Sequence, residues 1–184
     1  MEFGVAYTAD KNFEDVLWGV RRAEELGFSF VGIPDTPYQS MDPYPYLAAC
    51  ALQTSRIKLG PYITNPLTRH PSITASAMAT IQVMSSGRAF LAMGRGNSAV
   101  KQLGWQPASW KQYRQAVSDI RRWMRGEAVE VEGSPVPLQL EFTEGEIPIS
   151  LGVWGPRGAQ VAGELADCAT TECAEVGTVQ WFAE

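Results

Sequence analysis

Short apolar runs alternate with longer segments of helical spacing along almost the whole of this chain. The longer segments place apolar residues on one face, as Tyr113, Val117 and Ile120 do, whereas the short runs have the length of buried strands. The predicted strands are 3–7, 28–34, 56–63, 89–93, 147–152 and 168–171, and the predicted helices are 13–26, 42–52, 71–85, 109–125 and 155–166. Strands that alternate with helices predict βαβ units, a parallel sheet and an α/β fold.

One segment departs from this alternation. Between 128 and 142, apolar residues recur at every second position on both sides of Gly133 and Ser134, which predicts an inserted β-hairpin. We find no low-complexity linker and no second domain, so residues 1–184 are predicted to form a single domain.

Composition argues against several classes of function. The chain has 15 Lys and Arg against 20 Asp and Glu without a long basic run, so nucleic acid is not an expected partner. Three cysteines (Cys50, Cys168 and Cys173) and one histidine (His70) are too few for a disulfide framework or a metal site. The N-terminus lacks the basic and apolar regions of a secretion signal, and nothing suggests a membrane partner. We therefore expect a cytoplasmic protein.

Residues suited to binding follow four of the predicted strands. Ligands of parallel α/β proteins gather where the strands end, so the residues after the second to fifth strands are candidate site residues. These are Asp35; Tyr62, Ile63, Thr64 and Asn65; Gly94, Gly96 and Asn97; and Gly155, Pro156 and Arg157.

Each group also has a purely structural interpretation. Asp35 could carry a proton if burial raised its pKa, but a single acid is also typical of a turn or a helix cap. Gly94 and Gly96 let the backbone approach a flat ring and Asn97 offers a donor and an acceptor, yet this pattern also suits an ordinary turn. Arg157 at a helix N-terminus suits a phosphate, but is equally consistent with a solvated side chain.

A longer motif resembles a known family. Residues 55–71 read Ser-Arg-Ile-Lys-Leu-Gly-Pro-Tyr-Ile-Thr-Asn-Pro-Leu-Thr-Arg-His-Pro, which is similar to the third-strand motif of the luciferase-like monooxygenases. Further matches lie at 23–28, 33–35, 94–96, 155–157 and 162–164. Within the family, the chain most resembles the branch related to methylenetetrahydromethanopterin reductases, which use the deazaflavin coenzyme F-420. The resemblance covers nearly the whole chain.

This resemblance implies a TIM-type (β/α) barrel that binds F-420 or FMN where its strands end, and that transfers a hydride to or from a small organic substrate. It implies a non-prolyl cis peptide near Tyr62 and Ile63, a phosphate-binding loop at 155–157, and a ring pocket lined by Asp35 and Asn97. Asp35 is the candidate catalytic residue. The related reductases usually carry an acid at the position of Asn97, and often another at that of Ala6, so the chain departs from them there.

The resemblance also implies an incomplete barrel. Full barrels of this type have eight strands in roughly 250 residues, whereas this chain has six predicted strands in 184 residues. Proteins usually cover open sheet edges, so we expect a homo-oligomer or a partner chain to cover the first and sixth strands. An oxidoreductase is the leading hypothesis. The alternatives are a non-catalytic, shortened flavin- or deazaflavin-binding homologue and a phosphate-binding barrel fragment.

Overall fold

In the computed structural model, which describes residues 2–10 and 12–172, six strands and six helices follow one another along the chain. The strands are β1 (Gly4–Ala6), β2 (Phe30–Ile33), β3 (Lys58–Pro61), β4 (Leu91–Met93), β5 (Ile149–Gly152) and β6 (Cys168–Thr170). The helices are α1 (Phe13–Glu25), α2 (Pro43–Gln53), α3 (Pro71–Met84), α4 (Ser98–Gln102), α5 (Trp110–Met124) and α6 (Pro156–Leu165).

The strands form two parallel sheets that are joined at one junction. β1, β2 and β3 make the first sheet and β4, β5 and β6 make the second, each in sequence order. At the junction, single parallel bridges pair Leu59 with Ala89 and Thr64 with Met93. The six strands therefore follow one another in sequence order, and the prediction of an α/β fold with parallel strands is confirmed.

The core combines side chains from both sheets and from the helices. Four fully buried strand residues form two in-register pairs, Val31 with Leu59 and Leu91 with Ile149. The same buried cluster includes the helix residues Val20, Leu47, Met78 and Ile120. Burial of each such side chain contributes about 1.5–3 kcal/mol. This shared core fixes the positions of the strand ends.

Polar side chains lie at the starts of the helices. Ser109 caps α5, and His70 Nδ1 accepts the Ser72 N–H at the start of α3. Asn12 precedes α1, as an asparagine that could cap the helix. Its side chain makes no capping bond because its amide donates to the Asp15 carboxylate instead.

The predicted hairpin at 128–142 is reduced to one antiparallel residue pair. Val129 and Leu138 exchange two backbone hydrogen bonds of 2.9 and 2.8 Å, and the neighbouring residues form no strand. Pro135 and Pro137 have no N–H group to extend the ladder. Val136 lies exposed, so the alternating pattern does not bury one face.

None of the helices in the described part of the chain is both long and apolar enough to cross a membrane.

Candidate functional site

The ends of five consecutive strands, β2 to β6, meet around one cleft. The cleft has a volume of about 620 Å³, which lies within the range of small-molecule sites. All the sequence-predicted site residues line it, namely Asp35, Tyr62, Ile63, Thr64, Asn65, Gly94, Gly96, Asn97, Gly155, Pro156 and Arg157. The structure thus brings together residues that are up to 122 positions apart, from 35 to 157.

The segment that follows β3 forms the middle of the cleft. The peptide bond between Tyr62 and Ile63 is cis, as the resemblance implies. The Ile63 side chain lies between two neighbouring strand ends, because Cβ atoms built at Gly94 and Gly152 would be 3.4 and 3.5 Å from it. Ile63 therefore gives the cleft an apolar surface where the loops after β3, β4 and β5 converge.

Two glycines are required by the shape of the cleft. Gly96 has a φ of +93°, and a Cβ atom there would lie 2.4 Å from Val100 on α4. A Cβ atom at Gly152 would lie 2.5 Å from the ring of Trp154, which is itself largely exposed. A side chain at Gly96 would be strained by the positive φ and would press on Val100, whereas one at Gly152 would displace the Trp154 ring.

Asn97 lies next to Gly96 and is exposed at the start of α4. Its side chain makes no capping bond to that helix. The amide is therefore placed to offer both a donor and an acceptor to a molecule in the cleft.

Thr64 and Asn65 line the cleft but use their polar groups within the protein. The Thr64 N–H donates to Ala92 O at 3.0 Å, and its carbonyl accepts from Gly94 N at 2.9 Å. The Asn65 Oδ1 atom accepts the N–H groups of Leu67 and Thr68 at 3.0 Å. The structure gives both residues a part in shaping the loop, which the sequence alone did not indicate.

Asp35 is the one acid buried in the cleft wall among the described residues. Its side chain is 5% exposed, and its Oδ2 atom accepts a hydrogen bond of 2.6 Å from the Thr64 hydroxyl. Burial raises the pKa of Asp35 above its usual value, while the Thr64 hydrogen bond and the charge of Arg69 partly oppose that rise. A carboxyl group with a raised pKa is suited to exchanging a proton.

A cationic region lies where the loop after β5 meets α5 and α6. The Arg95 and Arg157 guanidinium carbons lie 4.4 and 5.6 Å from the ring centre of Trp110, the first residue of α5. Arg95 is also held by a hydrogen bond of 2.6 Å from its Nε to Ala108 O. The first-turn N–H groups of α6 add partial positive charge, so this region is suited to a phosphate.

Sequence reasoning missed Arg95 and Trp110 as parts of this region. Arg95 stands between the two predicted glycines, and this position is the signal that could have revealed it. Trp110 follows a helix cap and gives no local sign that it faces residues 95 and 157. Glu172, after β6, also lines the cleft and was not predicted.

Asp35 also lines a second, smaller cavity of about 200 Å³. This cavity contains Arg69 and Asp42, which form an ion pair of 2.7 Å. Asp35 is thus placed between two cavities of different size.

The described residues include no group of three or more His, Cys, Asp or Glu side chains that could hold a metal ion. Cys50 is buried and Cys168 is an exposed thiol. Cys173 lies outside the described residues.

Comparison with known sequences identifies relatives of this chain. A family model described as luciferase-like monooxygenase matches residues 1–183. The 5,10-methylenetetrahydromethanopterin reductase of Archaeoglobus fulgidus is 38% identical over 173 residues, which cover 91% of this chain and 52% of that protein. The chain spans about half the length of the curated relatives it matches.

Two solved structures resemble the fold. The coenzyme F-420-dependent tetrahydromethanopterin reductase from Methanopyrus kandleri matches with a TM-score of 0.76 and 29% identity over 92% of this chain and 55% of that one. An F-420-dependent secondary alcohol dehydrogenase, in complex with an F-420–acetone adduct, matches with a TM-score of 0.75 and 25% identity over 93% and 58% of the two chains.

Proposed function

The chain belongs to the luciferase-like monooxygenase family, and we propose that it is an oxidoreductase that binds the deazaflavin coenzyme F-420, or FMN, in the cleft. It transfers a hydride to or from a small organic substrate. The observation that carries this proposal is that all the predicted site residues line one cleft of about 620 Å³. The names of the two solved structures described above favour F-420 over FMN, since both are F-420-dependent enzymes.

The proposal includes the architecture. We infer that the six parallel strands are six of the eight strands of a TIM-type barrel formed by a single domain. Their sequential order and the TM-scores of 0.76 and 0.75 support this arrangement. In such barrels, the loops at the carboxyl ends of the strands build the active site. The loops that line this cleft also follow the carboxyl ends of strands.

The residues of the cleft fit a ring with a phosphate-bearing tail. Ile63 supplies an apolar surface for the ring, and Asn97 offers its amide to a ring edge. Arg157, Arg95 and the first turn of α6 hold the phosphate at the cationic region. When bound, F-420 or FMN supplies the hydride-transfer chemistry, and the protein orients the reactants and excludes water.

Asp35 is proposed to hold and release a proton during the reaction. Its Oδ2 atom accepts a hydrogen bond from the Thr64 hydroxyl, and the residue itself lines the cleft. Because burial raises the pKa of Asp35, its protonated form is more accessible than that of a solvated aspartate.

A binding experiment tests this function. The purified chain is titrated with oxidised and reduced F-420 and FMN, ring absorbance and fluorescence are followed, and redox turnover is then measured. Ring binding with turnover is the expected result. Ring binding without turnover would favour a non-catalytic, shortened homologue, for which the half-length match is the motivating observation. If neither ring binds, both functions are wrong, and phosphate protection alone would indicate a phosphate-binding barrel fragment.

A further inference from the structure

A chain of buried hydroxyl groups leads from Asp35 through Thr64 to Tyr44, which does not line the cleft. The Thr64 hydroxyl donates to Asp35 Oδ2 at 2.6 Å, and the Tyr44 hydroxyl donates to Thr64 Oγ1 at 3.5 Å. Thr64 is 1% exposed and Tyr44 is 7% exposed. The three residues come from the loop after β2, the loop after β3 and the first turn of α2.

The available protons give this chain a direction. The backbone N–H and carbonyl groups of Thr64 are hydrogen-bonded to Ala92 and Gly94. The hydroxyl is therefore the Thr64 group that bonds Asp35. That hydroxyl has one proton, and an ionised Asp35 can only accept it. The Thr64 oxygen is then free to accept the proton of Tyr44. Burial raises the pKa of Tyr44 to about 12, so Tyr44 keeps its proton and acts as a donor at neutral pH.

Other charged groups also face Asp35. Arg69 lowers the pKa of Asp35, while Asp42, which is paired with Arg69, raises it. Arg95, Arg157 and Glu172 line the cleft beyond it. Since Arg69 and Asp42 act in opposite directions, the Thr64 hydroxyl is the group in direct contact that favours the ionised carboxylate.

We propose that Thr64 and Tyr44 are positioning residues, which hold Oδ2 of Asp35 and favour the ionised form of its carboxyl group against the cost of its burial. The role of this arrangement in the reaction rests on the proposed function, in which Asp35 exchanges a proton. Thr64 then acts through Asp35 rather than by a polar contact with the cofactor. Tyr44 strengthens the donation by Thr64 because linked hydrogen bonds polarise one another.

Carboxyl titration by NMR tests the proposal in the ligand-free protein. Aspartate carboxyl carbons are labelled with ¹³C, and the Asp35 signal is assigned by its loss in Asp35→Asn. In Thr64→Val, the titration midpoint of Asp35 is expected to rise by about one pH unit, because a donor to the ionised form is lost. Tyr44→Phe should cause a smaller rise in the same direction, and Thr64→Ser should restore the wild-type midpoint.

Tyr46→Phe is the matched control. Tyr46 is also a buried tyrosine of α2, but its hydroxyl donates to Asp10 O, so its loss should leave the Asp35 midpoint unchanged. The proposal is wrong if Thr64→Val leaves the midpoint unchanged, or if Tyr46→Phe moves it as much as Tyr44→Phe does. If Thr64→Val does not fold, Tyr44→Phe decides the outcome, because a rise supports the proposal and no change overturns it.

The titration also separates this proposal from the proposed function. It uses no cofactor and no substrate, so the midpoints report on the hydroxyl chain alone. Unchanged turnover in Asp35→Asn would contradict the proton-transfer role of Asp35, whereas an unchanged midpoint in Thr64→Val would contradict the hydroxyl chain.

Discussion

The burial of Asp35 suits proton exchange but makes the ionised side chain costly for the stability of the fold. Asp35 is buried, and its raised pKa means that the ionised side chain is less favourable in the folded protein than in the unfolded chain. Its contribution to stability is therefore present below the unfolded pKa and is lost as the pH rises through the folded value.

Replacement of Asp35 by Asn should separate the effect of this carboxyl group on turnover from its effect on stability. Turnover is expected to fall by about 100-fold or more, because a proton-transfer group is lost, while ring affinity changes little. At pH 8 the variant should melt at the same temperature as the wild type or higher, since the buried charge is gone. Turnover assays, ring titration and thermal denaturation measure these effects, with Asp119→Asn, which does not line the cleft, as control. Equal turnover in Asp35→Asn would remove the assigned role.

Glu24 joins the end of α1 to the start of β3. Its Oε1 atom accepts the N–H groups of Ser55, Arg56 and Ile57 at 2.9, 2.6 and 2.9 Å. Burial is the largest single influence and raises the pKa of Glu24, but the three hydrogen bonds and the charge of Arg56 together bring it below the usual value. A lowered pKa means that the ionised form stabilises the fold.

This stabilisation should disappear in acid. The contribution of Glu24 is present above its unfolded pKa of about 4.3 and is lost as the pH falls through the lower, folded value. We expect Glu24→Gln to lower the free energy of unfolding by about 1 kcal/mol at pH 7 and by less at pH 3. Urea denaturation at both pH values measures the difference. Glu25→Gln, which removes only an exposed ion pair with Arg22, should change little; a loss independent of pH would contradict this account.

Among the elements, α5 is closely connected to the cleft because it begins with Trp110. Ser109 and Gln112 form a reciprocal capping box, in which each side chain accepts the backbone N–H of the other. This cap fixes the first turn and, with it, the ring beneath Arg95.

Removal of that cap should affect both stability and binding. Ser109→Ala is expected to reduce the free energy of unfolding by about 1 kcal/mol and to weaken cofactor binding, since Trp110 lies in the first turn. Asn12→Ala is the control, because Asn12 precedes α1 without a side-chain capping bond and should have a smaller effect. Chemical denaturation and ring titration measure both quantities. An equal loss of stability in the two variants would show that the capping box does not contribute to the stability of the fold.

The N-terminus of α6 should decide affinity for the tail of the cofactor. Arg157→Ala is expected to weaken FMN binding by about tenfold or more, while the affinity for riboflavin, which lacks the phosphate, stays the same. The same comparison can be made between F-420 and a deazaflavin that lacks the phosphate-bearing tail. Lys111→Ala removes a nearby charge that does not line the cleft and serves as control. Equal losses for FMN and riboflavin would place the phosphate elsewhere.

The order of elements could be predicted from the sequence because residues such as Val117 and Ile120 recur at the helical period and are buried in the structure. The short helix α4 was not predicted, since five residues are too few to show a period. In the site, Asp35 and Arg157 could be found because they lie in the segments that come next after strands β2 and β5. Trp110 could not, because its contact with residues 95 and 157 exists only after α5 and α6 pack.

At the scale of the whole molecule, the sheets have two outer edges in the described part of the chain, β1 and β6. Phe3 and Trp18 are each 63% exposed. Trp18 lies near β1, since the carbonyl of its neighbour Gly19 accepts the Tyr7 hydroxyl at 3.0 Å. Open edges and exposed aromatic rings favour association.

We expect this chain to self-associate or to bind a partner that covers these edges. In light-scattering measurements, the purified chain should be larger than its monomer mass of 20.2 kDa. Trp18→Glu should shift it toward the monomer, because a charge cannot be buried without a partner. Trp105→Glu, which alters an exposed ring in the loop after α4, should not. A wild-type monomer throughout the micromolar range would contradict self-association.

The junction between the two sheets has a further consequence for backbone dynamics. It depends on few hydrogen bonds, among them those donated by Thr64 N and Gly94 N, and both residues line the cleft. These two amides exchange with deuterium when the junction opens locally. A bound molecule that contacts residues 64 and 94 would oppose that opening. Occupancy of the cleft would therefore slow deuterium uptake at this junction more than at β1 or β6.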